Sequence, residues 1–318
     1  MTAVFLTDIT QYKPKSERGV VATIGTFDGI HRGHQAIFRR VREDSRDSGL
    51  DAVLVTFDPH PKIIVSPERA PRLLTSIEEK RKFIPSFFDG TVIVVSFTRE
   101  LMSMTPDEFV RSFLVERIGV RKLVVGHDHA IGKGRAGDIG ELRRLGQRYG
   151  FEVEVVEPVM LDGSSISSSR IRTLMTDGEY PEALRLLGHE YAIYGTVERG
   201  IGLGRKLGYP TANVKYGANK LLPPEGVYAC WVQLGSENFA GMMFIGENHF
   251  NPTRRVTVEA NIFEFDRDIY DQEIVVYPTH FVRGNRRFDS TEALVRQIAS
   301  DKISILEIVK KEKQHARN

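Results

Sequence analysis

The chain has 318 residues, of which 41% are hydrophobic and 27% charged, and this composition excludes a disordered or collagen-like chain. At about 150 residues per domain, the length suggests two domains. Lysine and arginine number 44 against 42 for aspartate and glutamate, so the net charge is +2, which does not favour a duplex-binding protein. The single cysteine, Cys230, excludes an intramolecular disulfide and suits a reducing compartment.

Apolar runs are short throughout the chain. The longest lies around residues 92–95 and falls far below the roughly 20 residues that cross a bilayer. The first apolar residues follow no basic segment, and Asp8 interrupts them, so a signal peptide is not expected. The sequence therefore predicts a soluble, cytoplasmic protein.

The first part of the chain alternates short apolar runs with longer amphipathic stretches. Helical spacing is found at residues 34–46, 77–88 and 141–149, and a further helix is predicted from Thr105 to Ile118. Thr-Pro-Asp-Glu is a good helix start there, and Gly119 is a stop. Runs rich in valine and isoleucine predict strands at residues 19–24, 52–57, 92–97, 122–125 and 152–156. This alternation predicts an α/β domain with a parallel sheet, assigned to residues 1–187.

From Glu190 onwards the pattern changes. Strands without intervening helices are predicted at residues 192–198, 226–234, 239–245, 255–265 and 273–281, joined by Gly, Asn and Pro turns. This pattern is typical of a small antiparallel sheet or barrel. Residues 289–313 predict one long closing helix. The second domain is accordingly assigned to residues 188–318.

The segment from Gly25 to His34, Gly-Thr-Phe-Asp-Gly-Ile-His-Arg-Gly-His, joins the first predicted strand to the first predicted helix. Its glycines allow the backbone to approach a ligand closely, and the N–H groups at the start of the helix attract an anion. His31 and His34 lie three residues apart on the same side, where they can donate to a phosphate group and to a departing pyrophosphate. The alternative is a pair of surface histidines in a turn, and the loop context favours the phosphate site.

Further polar residues follow in order. Ser167, Ser168 and Ser169 precede a helical stretch, so their hydroxyl and N–H groups can bind an anion, cap the helix, or do both. Arg170 and Arg172 add permanent positive charge with bidentate geometry for phosphate. His60 stands between two prolines in a rigid turn, either as a ligand contact or as a structural residue. Asp128 and Arg135 lie in a glycine-rich loop after a strand, where α/β sheets bind ligands.

These stretches resemble, in order, the motifs of one family. The segment from Gly25 to His34 resembles the HxGH loop of the nucleotidylyl transferases, in the form found in bacterial bifunctional riboflavin kinase/FAD synthetases. Residues 57–61 resemble the FxPHP turn of these enzymes, and Leu73-Leu74-Thr75 with the acidic–basic helix after it also fits. Residues 126–137 resemble their GxDFxFGxxRxG loop, although the two aromatic positions are His129 and Ile131. Residues 166–172 resemble their serine–arginine motif.

The resemblance implies that the first domain is a Rossmann-like nucleotidylyl transferase that transfers AMP from ATP to FMN, giving FAD and pyrophosphate. The catalytic residues that it implies are His31, His34 and Arg170. The residues that it implies for ATP and its phosphates are Gly25, Phe27, Asp28, Gly29, Gly33, Ser167, Ser168 and Arg172. The residues that it implies for the flavin are Phe57, His60, Asp128 and Arg135.

The second domain resembles the riboflavin kinases. Residues 200–213 combine a glycine-rich stretch, which can wrap phosphates, with Pro-Thr-Ala-Asn. Thr211 and Asn213 offer neutral oxygens that suit Mg²⁺. The nucleotide-binding residues that the resemblance implies are Gly204, Arg205, Lys206, Gly208, Pro210, Thr211 and Asn213.

The kinase resemblance weakens at Arg283-Gly284-Asn285-Arg286-Arg287-Phe288. The family has RxExKF at this place, and its Glu is the base for the ribityl hydroxyl of riboflavin. Asn285 stands in its position, and a neutral amide cannot accept a proton as a carboxylate does. Glu259 is the candidate replacement. The Pro-Thr-Phe that the family carries is not recognisable around residues 248–250.

We therefore expect an Mg²⁺-dependent enzyme of FAD biosynthesis whose substrates and products are ATP, riboflavin, FMN and FAD. We expect no membrane partner and favour no nucleic-acid partner. Two alternatives stay open. One is an FAD synthetase whose kinase domain is weak or inactive. The other is a non-catalytic, flavin-responsive regulator, against which the intact motifs around His31 and Arg170 argue.

Overall fold

The computed structural model of the chain describes residues 3–13, 18–132, 134, 136–247 and 256–315. The contacts within the chain divide it into two compact units, Met1–Arg170 and Ile171–Asn318. Within the described residues, no helix combines the length and the apolar character that crossing a bilayer requires.

The first unit is built on a six-stranded sheet with the order β1-β4-β3-β2-β5-β6. All neighbouring strands are parallel. Every residue of the central strand β2 is buried, as expected for a strand covered on both faces. The strands are β1 (Val4–Leu6), β2 (Val20–Ile24), β3 (Asp51–Asp58), β4 (Thr91–Ser96), β5 (Val120–Gly126) and β6 (Glu152–Val156).

The helix predicted from Thr105 to Ile118 is confirmed. Thr105 and Glu108 form a capping box at its start, and Gly119 ends it with a φ of 78°. The sequence did not indicate that the part over Phe109–Ile118 is π-helical. The helices of the first unit are α1 (Arg32–Ser48), α2 (Pro61–Val65), α3 (Ile77–Phe83), α4 (Arg99–Ser103), α5 (Pro106–Glu108) with its π-helical continuation, and α6 (Ile139–Tyr149). Short 3₁₀ turns lie at Ile9–Gln11, Pro67–Arg69 and Ile84–Ser86.

The order of the strands places a crevice at one end of β2. The chain runs from β2 to β3 and β4 on one side of the sheet and then crosses to β5 on the other side. Ligands of open α/β sheets bind beyond the carboxyl ends of the strands at such a reversal. The loops that follow β2 and β5 flank this place, and they hold the predicted histidines and Asp128.

The second unit contains a closed antiparallel barrel with the order β10-β13-β12-β11-β14-β9. The predicted barrel and its closing helix are therefore confirmed. The barrel strands are β9 (Ile193–Glu198), β10 (Ala212–Tyr216), β11 (Gly226–Leu234), β12 (Glu237–Glu247), β13 (Val256–Ile262) and β14 (Glu273–Gly284). Strand β10 was not among the predicted strands.

The first unit also contains a two-stranded hairpin, β7 (Met160–Leu161) with β8 (Ser164–Ser165).

Helix α10 (Thr291–His315) packs on the barrel. Its Ile305 and Val309 are buried in a cluster with Val227 and Met242. Trp231 Nε1 also donates to Glu312 Oε2 over 2.9 Å. Because Trp231 is the chain's single tryptophan, its fluorescence reports on this unit alone.

Helix α7 (Ser168–Thr176) contains the division between the units, and α8 (Tyr180–Leu187) belongs to the second. Tyr180 is buried, its hydroxyl donates to the Pro278 carbonyl over 2.7 Å, and its ring packs edge-on against Tyr228. The contact division thus precedes the predicted domain boundary between Leu187 and Gly188, and that boundary stays a prediction.

Candidate active sites

The loop after β2 has an unusual backbone. Phe27 and Ile30 have φ angles of 45° and 44°, which are uncommon for residues other than glycine, and Gly29 has a φ of 88°. Such strain persists only where the surroundings hold it. The buried Asp28 carboxylate holds this loop by accepting the N–H groups of Leu74 at 3.2 Å and Thr75 at 2.9 Å. The Gly29 N–H donates in return to Thr75 Oγ1 over 2.9 Å.

The carbonyl groups of this loop are also fixed. The Thr26 carbonyl accepts from Lys80 Nζ at 2.7 Å and from Thr56 Oγ1 at 3.2 Å. In a trans peptide, C=O and N–H point in opposite directions, so the Phe27 N–H faces away from Lys80. This N–H makes no hydrogen bond within the described residues. The loop therefore presents a fixed donor without a protein acceptor.

The two predicted histidines lie against each other. His31 is the N-cap residue of α1, and its ring stacks on that of His34 with centroids 3.6 Å apart. The Phe27 ring packs edge-on against His34 at 5.4 Å. A Cβ atom on Gly33 would lie 3.1 Å from the His31 ring, so this position favours glycine.

His34 is neutral near pH 7. Burial lowers its pKa well below the ordinary 6.5, and the electrostatic effects of His31 and of the Lys80 ammonium group act in the same direction. Its Nδ1 is buried and makes no hydrogen bond within the described part of the chain. A neutral imidazole carries one donor and one acceptor, so His34 can donate to a ligand without adding charge.

The serine–arginine motif lies beside this loop. Ser168 Oγ donates to the Asp28 carbonyl over 2.8 Å, which attaches the start of α7 to the histidine loop. Ser167 Oγ accepts the Arg170 N–H at 3.2 Å and so caps the helix. Arg170 Nη1 lies 3.3 Å from the Leu161 carbonyl and 3.2 Å from the Ser164 carbonyl. These contacts tie the arginine to the β7–β8 hairpin. Arg172, further along α7, lies beyond the division between the units.

The residues expected to contact the flavin are more dispersed. Phe57 is the next-to-last residue of β3 and packs edge-on against Phe97 at 5.5 Å. His60 is buried, and its Nδ1 accepts the Lys62 N–H at 3.1 Å, which gives it a structural role in capping α2. Asp128 is exposed in the loop after β5. Ile131 is buried in the core, where two backbone hydrogen bonds pair it with Gly137. Arg135 lies outside the described residues.

The second unit contains a cavity of about 770 Å³, a volume within the usual range of small-molecule sites. One wall is the glycine-rich segment, which includes the short helix α9 (Leu203–Lys206). Lys206 and Gly208 belong to this segment but do not line the cavity. The predicted residues that line it are Gly204, Arg205, Pro210, Thr211, Asn213, Glu259 and Asn285.

Oxygen atoms converge on one side of this cavity. Asn213 on β10 pairs with Glu259 on β13, so their side chains share a face of the barrel. Thr211 Oγ1 donates to Glu259 Oε2 over 3.2 Å. A Cβ atom on Gly200 would lie only 2.3 Å from Asn213 Nδ2, so the glycine leaves the space that this amide occupies. A hydroxyl, an amide and a carboxylate are thus brought together.

The segment around Asn285 is tied to α10. Arg283 forms an ion pair with the buried Asp301, with Nη2 2.7 Å and Nε 2.9 Å from Oδ2. Arg286 Nη1 donates to Gln297 Oε1 over 3.1 Å, and Gln297 Nε2 donates to Asp301 Oδ1 over 2.7 Å. The segment of the cavity wall that contains Asn285 is therefore held in place by α10.

Sequence reasoning missed several of these residues. Lys80, Gln297 and Asp301 hold the two sites in place, yet none was singled out, and Thr75 was named only as part of Leu73-Leu74-Thr75. The Ser76–Glu79 capping box was the available local signal for α3, but the partners of Thr75 and Lys80 are distant along the chain. Residues 248–250, where the Pro-Thr-Phe pattern was sought, lie outside the described residues.

Both halves of the chain match family models. A model described as FAD synthetase matches residues 13–170, and one described as riboflavin kinase matches residues 187–309. The bifunctional riboflavin kinase/FMN adenylyltransferase of Escherichia coli (strain K12) is 34% identical over 292 residues, which span 92% of this chain and 93% of the relative. That of Pseudomonas fluorescens is 37% identical over 288 residues, covering 89% and 91%. The chain belongs to this family.

The resemblance stated from the sequence motifs is thereby confirmed. Among solved structures, a crystal structure described as a macrolide-efflux protein from Streptococcus pneumoniae aligns with a TM-score of 0.80 and 29% identity. The alignment covers 95% of this chain and 98% of that one, so it includes both folds.

The Gly200–Asn213 contact yields a first prediction. In Gly200→Ala the new methyl group displaces the Asn213 amide, a flexible side-chain end, so the barrel stays folded. Losing one hydrogen bond to a charged group costs about 1.5 kcal/mol, so we expect Mg·ADP to bind the second unit about tenfold more weakly. Titration followed by Trp231 fluorescence measures this. Gly217→Ala is the control, because a Cβ atom there meets nothing within 4 Å. Equal affinities for the two variants would contradict the prediction.

Proposed function

We propose that the two units catalyse successive steps of FAD biosynthesis. The second unit phosphorylates riboflavin with ATP to give FMN, and the first transfers AMP from ATP to FMN, giving FAD and pyrophosphate. The observation that carries the assignment of the first site is the stacked pair of His31 and His34 at the start of α1, beside the Phe27 N–H. Within the described residues, the Phe27 N–H and His34 Nδ1 make no hydrogen bond, and both lie at the carboxyl end of β2, where the sheet order reverses.

In the adenylyl transfer, an oxygen of the FMN phosphate attacks the α-phosphorus of ATP in line. The bond from this phosphorus to the oxygen that bridges to the β-phosphorus breaks, and pyrophosphate leaves with that oxygen. A phosphate monoester is largely dianionic at pH 7, so no base has to remove a proton. What the protein must supply is position and stabilisation of negative charge.

The first unit offers that stabilisation through neutral and charged donors. The N–H groups that open α1 and the Phe27 N–H face an anion with the positive end of the helix dipole. His31 and His34 then stabilise charge on the transferring and leaving phosphates. Arg170 adds a permanent charge, which suits the β- and γ-phosphates. Ser168 keeps the helix that carries Arg170 attached to the histidine loop.

The second unit offers a set of oxygens that fits Mg²⁺. Thr211 and Asn213 are hard oxygen donors, and Glu259 adds a carboxylate to the same wall. When bound, the ion would neutralise charge on the phosphates of ATP. The glycine-rich segment contributes backbone that can follow a phosphate chain closely. This wall binds and orients the phosphoryl donor.

The acceptor side of the second unit is less complete. The ribityl hydroxyl of riboflavin is neutral and must lose its proton as phosphate is transferred. Asn285 cannot accept this proton, and Glu259 already accepts a hydrogen bond from Thr211. This observation favours the alternative in which the kinase is weak beside the adenylyltransferase. The small-molecule substrates follow from the chemistry, while a cytoplasmic location stays a prediction.

Substitution of the histidines tests the first site. His31→Ala or His34→Ala should lower FMN adenylylation about 10²–10³-fold, the usual cost of losing one preorganised donor where charge develops. FAD is separated from FMN by chromatography to measure the rate. His280→Ala, an exposed histidine of the second unit, should leave that rate unchanged. Near wild-type FAD formation by either of the first two variants would refute the role of these histidines.

Truncation tests the assignment of the first activity and the predicted boundary. A fragment of residues 1–187 contains the histidine loop and the serine–arginine motif, so it should fold alone and keep FMN adenylylation. It leaves Tyr180 without its Pro278 acceptor, a loss of about 1 kcal/mol that should not unfold the first sheet. If circular dichroism shows a folded fragment that is inert with FMN and ATP, the first site needs residues beyond Leu187.

Restoring the carboxylate tests the second site. We expect riboflavin phosphorylation by the unmodified chain to be much slower than FMN adenylylation, because general-base catalysis is worth roughly 10²–10⁴ in rate. Asn285→Glu should raise the kinase rate, whereas Asn285→Gln, which stays neutral, should not. FMN formed from riboflavin and Mg·ATP is measured by chromatography. A fast kinase in the unmodified chain would mean that another carboxylate, with Glu259 the first candidate, acts as the base.

A further inference from the structure

Lys80 is a buried cation with no assigned role in the first unit. It lies on α3 and is only 5% exposed. Its ammonium group donates to the Thr26 carbonyl over 2.7 Å, on the loop between β2 and the histidines. Burying an ammonium group is costly unless charges and hydrogen bonds compensate for it. Burial lowers the pKa of Lys80, while the carboxylates of Asp28, Asp58 and Glu79 oppose that shift.

The helix that carries Lys80 is locked in place at its start. The Ser76 N–H donates to Glu79 Oε2 over 2.8 Å, and the Glu79 N–H donates to Ser76 Oγ over 3.2 Å. The two preceding residues, Leu74 and Thr75, bind the Asp28 carboxylate through their N–H groups. The position of the ammonium group relative to the loop is therefore fixed at two points, residue 26 and residue 28.

We propose that Lys80 is a positioning residue of the adenylyl-transfer site. Its ammonium group holds the Thr26 carbonyl, and because the Phe27 N–H lies on the opposite side of the same peptide group, this N–H is directed toward the phosphate chain. This inference rests on the function proposed for the first unit. Thr56 Oγ1 also donates to that carbonyl, at 3.2 Å, but it is a neutral group and its contact is longer.

The charge of Lys80 has a second effect on the same site. His34 is faced by the His31 and Phe27 rings, and both His31 and Lys80 disfavour its protonation. A purely structural lysine would fill space and satisfy a carbonyl. A positioning lysine also adds to the effect of burial, which is the main reason that His34 stays neutral, so that the ring can donate to phosphate without carrying a charge.

The test compares Lys80→Met and Lys80→Arg with Lys82→Met, a control on the same helix. In Lys80→Met we expect kcat for FAD formation to fall on the order of 10²-fold, because displacing a catalytic contact by about 1 Å has an effect of that size. The KM for FMN should change less. The pKa of His34, followed by NMR of its ring proton, should rise, while burial and His31 still hold it below 6.5. Lys80→Arg keeps the charge and a donor, so it should recover part of kcat and leave that pKa low. Lys82→Met should change neither quantity.

Two outcomes would overturn the proposal. One is a Lys80→Met protein with wild-type kcat. The other is an unchanged His34 pKa together with equal losses of kcat in the Met and Arg variants, which would show a structural role only. If Lys80→Met does not fold, Lys80→Gln removes the charge, keeps an amide donor and carries the same two measurements. Should the wild-type chain form no FAD, the proposed function fails, while the His34 titration still tests the link to Lys80.

Discussion

The geometry of the first site depends on one buried interaction, the hydrogen bonds that the Asp28 carboxylate accepts from the N–H groups of Leu74 and Thr75. Phe27 and Ile30 occupy a left-handed backbone region that costs of order 1–3 kcal/mol for each residue. Charge-assisted hydrogen bonds in a dry interior are strong enough to offset that strain. Asp28 is 1% exposed, so its carboxylate has no water to replace these bonds. Without them, neither the Phe27 N–H nor the His31 ring would be held at the proposed phosphate site.

The second unit also holds its candidate site in place through a buried carboxylate, with different partners. Its cavity wall is held by the ion pair of Arg283 with Asp301, which is 3% exposed, and by the hydrogen bond of Gln297 to the same carboxylate. Removing one partner of such a buried pair leaves an uncompensated charge, so the pair fixes the segment more than it stabilises the fold. Helix α10 thus closes the barrel and also supports the wall on which Asn285 stands. The contacts that attach α10 to the barrel therefore also hold the cavity wall.

The features that could be predicted from the sequence are those determined by neighbouring residues. Buried strand β2 and the capped helix from Thr105 follow from apolar runs and capping residues, and the histidines came together because three residues separate them at a helix start. Strand β1 was missed because three residues carry too little pattern, and β10 was missed because Ala-Asn-Val-Lys-Tyr lacks the run of valine and isoleucine that marked the predicted strands. The partners of the loop were missed for another reason. Thr75 lies 47 residues from Asp28, and Lys80 lies 54 from Thr26. Local propensity holds no information about contacts at such separations.

The two sites differ in what their acceptors require, and this difference explains how a departure at Asn285 can coexist with an intact first site. The adenylyl acceptor is a phosphate that is already anionic, so donors and position suffice and no carboxylate is needed beside His31 and His34. The phosphoryl acceptor in the second unit is a neutral hydroxyl, which needs a proton acceptor at the moment of attack. If Asn285 stands at the position of the base, as proposed, the change from carboxylate to amide affects one reaction only. The proposed nucleotide wall, which includes Thr211, Asn213 and Glu259, would keep its form.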